Sequence, residues 1–372
     1  MKPRARDLNI RIGQLQPGPL NAITDVPGVR VGHSNVRGRS DSGRDICTGV
    51  TVIEPRRGST NQQPCFAGVH VLNGNGDATG LEWIREAGLL TSPIAFTNTH
   101  SLGVVRDALI ALDRQQQPDD GRLYWNMPAV LETFDGLLND INGFHVKPEH
   151  VAEALSSAHD GAVEEGAVGG GSGMICHEFK GGIGSASRRL SSAQGGWTVG
   201  AIVQANHGIR SELRVDGYPV GRYMEQVDSP FLRASLPHPG MGSIVVCLAT
   251  DAPLLPHQCT RLAQRASLGL ARSGGGNEDH SGDIFIAFAT GNEQVPSAAY
   301  EGKGAPTCNG LRMVNNDHIS ELFLAATEAV EEAIINALLA SESTAGNGHA
   351  VPGLDKETLL AALAKAGWPG AR

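Results

Sequence analysis

Eight uncharged residues, Ser243-Ile244-Val245-Val246-Cys247-Leu248-Ala249-Thr250, limit what this chain can become more than any other stretch. Their length and β-branched content are those of a strand, and a run with no charge is a buried one. Gly242 stands directly before it, so a serine hydroxyl opens a core strand. A cut between Gly242 and Ser243 would leave a hydroxyl and a free α-amine on one residue, a nucleophile and a base that need no distant partner. Gly242 suits such a cut, because a residue without Cβ takes strained dihedrals and leaves its carbonyl open to attack. An ordinary turn is the competing reading. Gly58-Ser59, Gly171-Ser172 and Gly184-Ser185 share the dipeptide but lead into polar or glycine-containing sequence.

The 372 residues admit two domains or one large α/β unit. Forty-eight glycines exceed the usual share of about 7%. They sit in short clusters between apolar runs, which favours tight turns and close backbone approaches over disorder. The formal charge of −9 carries no block of like charges, so nothing recommends nucleic acid or an anionic membrane as partner. Basic residues near the start are not followed by an apolar segment, and no later segment has the roughly eighteen apolar residues of a membrane span. The chain reads as cytoplasmic. Six scattered cysteines without a C-x-x-C pair read as buried reduced thiols. Thirteen histidines include no H-E-x-x-H, which argues against a metal site, although zinc ligands can be dispersed.

In chain order, residues 22–33 read as strand, Pro-Gly turn, strand, and residues 49–53 and 67–72 as two further strands. Asn73-Gly74-Asn75-Gly76-Asp77-Ala78-Thr79-Gly80 then leads into a helix over 81–87. Its G-x-G-x-x-x-G spacing departs from the dinucleotide fingerprint, and a backbone turn lining some other pocket fits better. Glu132 sits amid apolar residues, where a carboxylate needs a cationic partner or a raised pKa. It is either half of a salt bridge or a receptor for a substrate ammonium group. A helix follows over 148–159. The glycine cluster 166–173 lacks phosphate-loop spacing and reads as a flexible loop at a pocket mouth. A strand over 197–205 ends at Asn206, whose amide is placed either to donate to an oxyanion or to make a turn. Residues 209–242 read as an exposed, polar, Pro-rich linker. A helix is expected over 256–272. Ser281 and Asp283 open another strand, and alternation puts both side chains on one face. Residues 319–339 read as a helix with an apolar stripe and an opposite acidic face.

Taken together, several of these blocks resemble a known family. Residues 22–33, Val69-His70 with Asn73-Gly74-Asn75-Gly76, Thr97-Asn98-Thr99-His100, Glu132-Thr133-Phe134-Asp135-Gly136, Leu138-Asn139-Asp140-Ile141-Asn142-Gly143-Phe144, Gln204-Ala205-Asn206-His207-Gly208, Gly242-Ser243-Ile244 and Ser281-Gly282-Asp283-Ile284-Phe285 occur in order over nearly the whole chain. They are similar to the DmpA-type L-aminopeptidase/D-esterase and β-peptidyl aminopeptidase family.

The resemblance implies an α/β fold, a four-layer αββα sandwich of the type shared with ornithine acetyltransferases and analogous to N-terminal-nucleophile hydrolases. It implies one catalytic domain over 1–372, self-cleaved into an α chain 1–242 and a β chain 243–372, with the mature pairs assembled into a homo-oligomer. No metal or organic cofactor is implied. Ser243 would be the nucleophile in self-cleavage and turnover, Ser281 and Asp283 would orient and tune it, Asn206 would donate to the oxyanion, and Glu132 would bind the substrate's free amino group. Phe134 departs from the family's tyrosine, whose hydroxyl is thought to help hold the oxyanion; Tyr124 or a backbone amide is the substitute to look for. Asp279-His280 is also unusual for the family. The function implied is a serine aminopeptidase, amidase or esterase acting on short peptides, amides or esters through an acyl-enzyme. An amidase or acyltransferase on the same scaffold, acting on non-peptide amides such as ω-amino acid oligomers, and an uncut small-molecule binding protein are the alternatives.

Overall fold

The computed structural model describes residues 2–117, 119, 123–231, 242–296 and 308–370. In chain order its strands are β1 (Arg30–Arg39), β2 (Asp45–Glu54), β3 (Cys65–Gly74), β4 (Leu89–Leu90), β5 (Ile94–Asn98), β6 (Ala129–Thr133) and β7 (Ile175–Cys176). There follow β8 (Phe179–Lys180), β9 (Gly182–Arg189), β10 (Thr198–Asn206), β11 (Ser243–Thr250), β12 (Gly282–Ala289), β13 (Thr344–Gly346) and β14 (His349–Val351). The helices are α1 (Leu81–Ala87), α2 (Leu102–Gln116), α3 (Pro148–Ser156), α4 (Pro256–Gln264), α5 (Ala266–Ser273), α6 (Ser320–Ala340) and α7 (Lys356–Lys365).

Two sheets dominate, a four-stranded one in the order β1-β2-β5-β6 and a six-stranded one in the order β4-β3-β12-β11-β10-β9. Three apolar layers separate four layers of structure. Val50, Val52, Ala95 and Val130 of the smaller sheet pack on Val105 and Ala108 of α2 and Val151 and Ala154 of α3. Ile53, Phe96 and Leu131 meet Ile202, Val245, Cys247 and Ile286 between the sheets. Val246, Leu248 and Phe285 meet Leu262 of α4, Leu270 of α5 and Ile334 of α6 on the far side. Strand β11 explains its own sequence: successive side chains point to opposite faces, and here both faces are covered, so the run is apolar from Ile244 to Ala249, between its two hydroxyl-bearing ends. The architecture is the αββα sandwich.

Strands β11 and β12 run parallel at the centre of the larger sheet, and β10 is antiparallel to β11. That pairing sets Asn206 directly opposite Ser243 and Ile244 opposite Asp283. A β-bulge between Asp283 and Ile284 interrupts the pairing of β12 with β3, a device that re-aims side chains beside sites.

Several sequence expectations give way. The first strand expected in 22–33 is a 3-10 turn, Ile23–Asp25, because Asp25 accepts N–H groups of Leu20 and Ala22 and closes the chain on itself. The glycine cluster is interior rather than a flexible pocket mouth: a Cβ on Gly170 would lie 2.7 Å from the Phe96 carbonyl oxygen, and one on Gly171 2.5 Å from the Ile183 nitrogen. The supposed linker is exposed only in part. Leu213, Val215, Val220 and Met224 are fully buried, whereas 232–241 lie outside the described residues. The helix expected over 256–272 is two, meeting at Arg265. Helix α6 has no exposed acidic face in its centre, because Glu328, Glu331 and Glu332 are buried. Arg188 of β9, itself fully buried, binds Glu328 at 3.1 Å and Glu332 at 2.7 Å.

Candidate active site

Ser243 begins β11 at the rim of a cavity of about 470 Å³. Its Oγ accepts the N–H of Gly282, which opens the neighbouring strand β12, at 3.0 Å. Gly242, also in the lining, is glycine for a different reason from the one the sequence suggests. Its φ lies outside the left-handed range, but a Cβ there would come within 1.9 Å of the Asn206 carbonyl oxygen. Close approach of two backbones excludes a side chain.

One residue beyond Gly282, Asp283 accepts the Ser281 hydroxyl at 2.5 Å and the Ile244 N–H at 3.3 Å on the same oxygen, Oδ1. Its Oδ2 is buried with no partner among the described residues. Burial pushes this carboxyl up from 3.8 to about 6, against the lowering effect of the Ser281 and Ile244 hydrogen bonds. The sequence reading placed Ser281 and Asp283 on one face, and the two side chains do meet.

Asn206 closes β10. Its Oδ1 accepts the Ile175 N–H at 2.7 Å and its Nδ2 donates to the Phe134 carbonyl at 3.0 Å. An amide has two N–H groups on that nitrogen, so one bond to Phe134 leaves a second donor beside Ser243.

Glu132 ends the smaller sheet on β6 and reaches the same cavity. Oε1 accepts the Asp77 N–H at 2.8 Å and Oε2 accepts the Thr99 hydroxyl. No lysine or arginine forms an ion pair with it among the described residues, and burial pushes its carboxyl above the ordinary value. A carboxylate so placed has acceptor capacity left for a cation arriving through the cavity. Gly76 belongs to the cradle: a Cβ there would sit 3.3 Å from Glu132 Oε1 and 3.1 Å from the Gly282 Cα. The turn 74–76 thus lines a pocket, as its departure from the dinucleotide spacing suggests.

Phe134 also lines the cavity, with its ring folded over Gly136 and half of its surface exposed. Tyr124 does not stand in for the missing hydroxyl. It donates to Asp113 Oδ2 at 2.7 Å and takes no part in the lining. His280 does line the cavity, with its carbonyl held by Asn75 at 2.9 Å. The sequence assigns no role to Thr99, Ile175, Gly282 or Phe231; Thr99 and Gly282 lie in the motif blocks, and the N–H groups of Ile175 and Gly282 leave no mark in side-chain pattern.

Away from the cavity, Cys176, His177 and His207 are buried and offer ligand atoms within 4.8 Å of one another, close enough to share a metal ion. Sequence spacing gave no sign of this grouping, because β8, β9 and β10 separate its members. Burial keeps both imidazoles neutral, His177 at about 4 and His207 well below its ordinary value. None of the three touches the cavity.

The sequence model of peptidase family S58 matches residues 21–351. The chain belongs to that family. "Beta-peptidyl aminopeptidase BapA" of Sphingosinicella microcystinivorans is 44% identical over 98% of this chain and 92% of its own length. A solved "Burkholderia sp. beta-aminopeptidase" superposes with a TM-score of 0.93 at 64% identity, covering 98% of this chain and 99% of that one. The L-aminopeptidase D-Ala-esterase/amidase of Ochrobactrum anthropi is described as a prototype for the serine aminopeptidases and a variant of the Ntn hydrolase fold. It superposes with a TM-score of 0.88 at 43% identity over 98% and 99% of the two chains. Family and fold bear out the reading of a DmpA-type serine aminopeptidase on an αββα sandwich.

Proposed function

We propose that this S58 chain is a single catalytic unit over 1–372 that cuts itself between Gly242 and Ser243, and that the mature enzyme removes N-terminal β-amino acid residues from short peptides and amides. The convergence of Ser243, Asn206 and Glu132 on one cavity, with Asp283 bound just behind Ser243 to the Ile244 N–H, supports the chemistry. In self-cleavage Ser243 Oγ attacks the Gly242 carbonyl, the peptide nitrogen leaves as the α-amine of Ser243, and water hydrolyses the resulting ester. That amine has a reference pKa of about 7.7 to 8.0, so a usable fraction is neutral near pH 7 and takes the proton of Oγ in turnover.

The substrate's ammonium group would sit on Glu132, and its scissile carbonyl would lie against Ser243. The attacked carbonyl oxygen becomes an oxyanion facing the second N–H of Asn206. The amine proton then passes to the leaving nitrogen, the acyl group stays on Oγ, and a water deprotonated by the same amine releases it. Asp283, one residue from the new terminus along the sheet, would hold the charged amine in place through Oδ2, which has no partner among the described residues. Phe134 supplies an apolar wall where a hydroxyl was expected.

The β-amino preference rests on the names of the Sphingosinicella and Burkholderia relatives, and the Ochrobactrum protein supports an L-α-amino alternative. Aminoacyl p-nitroanilides carrying β-, L-α- or D-α-amino residues separate the two. Highest kcat/KM on the β-amino member supports the proposal, and an L-α preference overturns it. Assembly of mature pairs into a homo-oligomer belongs to the same reading. A reducing compartment such as the cytoplasm fits six free cysteines, five of them buried. No helix among the described residues is long and apolar enough to cross a membrane.

A further inference from the structure

Lys180 is a fully buried cation with no carboxylate partner among the described residues. Its Nζ donates to three main-chain carbonyls, those of Gly171 at 3.1 Å, Met174 at 2.9 Å and Gly181 at 2.7 Å. An ammonium has three N–H groups, so all are used. Burial pulls this group down to about 7, and a charge kept under that penalty calls for a structural reason.

The reason lies in one peptide group. The Met174 carbonyl is gripped by Lys180 Nζ and by the Gly181 N–H at 2.9 Å. The other end of that planar unit is the Ile175 N–H, which donates to Asn206 Oδ1 at 2.7 Å. Fixing the oxygen fixes the nitrogen, and a carbonyl polarised by an ammonium makes its own N–H a better donor. That N–H decides which end of the Asn206 side chain is oxygen, and so turns Nδ2 toward the Phe134 carbonyl and the cavity.

We propose that Lys180 is a positioning residue for the reaction, holding the Met174-Ile175 peptide so that Asn206 presents its amide N–H to the oxyanion. The role rests on Asn206 being the oxyanion donor, and a double-mutant cycle distinguishes failure of either reading. Lys180→Met and Asn206→Ala are made singly and together, and kcat and KM are measured per mole of free Ser243 terminus, with thermal melting as the control for folding. Lys180→Met is expected to lower kcat by about tenfold to a hundredfold, less than loss of the donor itself, with KM within about twofold. In the Asn206→Ala background it should add less than about threefold.

Unchanged kcat in Lys180→Met, or its full factor persisting beside Asn206→Ala, overturns the role of Lys180. Unchanged kcat in Asn206→Ala overturns the premise instead. Should Lys180→Met fail to fold, Lys180→Arg decides, because a flat guanidinium keeps the charge but cannot aim three N–H groups at carbonyls converging on one atom. It is expected to show the same fall in kcat, and a wild-type value contradicts the proposal. In the unmodified protein the Ile175 amide should exchange with solvent as slowly as those of β10; fast exchange contradicts it as well.

Discussion

Two buried carboxylates give the site its electrical character, and each yields an expected outcome. Glu132 has hydrogen bonds but no cationic partner among the described residues, so replacing it by glutamine keeps shape while removing the charge that recognises an ammonium. Glu132→Gln should lower kcat/KM for a substrate with a free amino group by about tenfold to a hundredfold, mainly through KM. A fall confined to kcat would contradict the binding role. Because burial holds Glu132 above the ordinary carboxylate value, this recognition is lost as pH falls through that raised value. Asp283 acts on stability. In the uncut chain its folded value of about 6 exceeds the ordinary 3.8, so the folded state keeps a proton that the unfolded chain has released. Stability therefore falls as pH rises from about 4 to 6, by a share of up to about 3 kcal/mol from this residue. Urea unfolding of Ser243→Ala across that range, with and without Asp283→Asn, checks it: the second change should flatten the slope, and an unaltered slope would contradict the account.

Strand β9 and helix α6 are joined by ions rather than by oil alone. Arg188 ties Glu328 and Glu332, and Glu328 also accepts the N–H groups of Gln14 and Leu15. Removing one member of a buried network strands the others, so Arg188→Met should cost about 3–5 kcal/mol in urea unfolding. A loss below about 1 kcal/mol would contradict the role assigned to the network. This helix also marks where sequence pattern misleads. Its acidic residues read as a solvent face because periodicity cannot see Arg188, 140 positions away from Glu328. The apolar run of β11 read correctly because one property, burial on both faces, set every residue in it. Glycines 169–171 failed for the converse reason: a residue without a side chain carries no sign of whether water or another backbone lies beside it.

The cavity itself was partly legible. Ser243, Asp283, Asn206 and Glu132 stand at strand ends, where an apolar run abruptly gives way to a polar residue, and ends of strands from both sheets meet at its rim. The backbone donors of Gly282, Ile175 and Asp77 were not legible, since every residue type but proline offers the same N–H. Those donors exist only once two sheets have stacked, and they carry much of what holds Oγ, the amide and the carboxylate in place. The stack also explains how a cut at position 243 would leave the fold standing: the bond precedes β11, and all eight residues of the strand are buried in the sheet beyond it.

Everything in the proposed chemistry depends on Ser243 becoming a chain terminus. Denaturing mass spectrometry of a purified, active sample should find two chains, the shorter beginning at Ser243, and Ser243→Ala should remain one uncut, inactive chain. A single 39.0 kDa species in an active preparation, or an active Ser243→Ala protein, would contradict it.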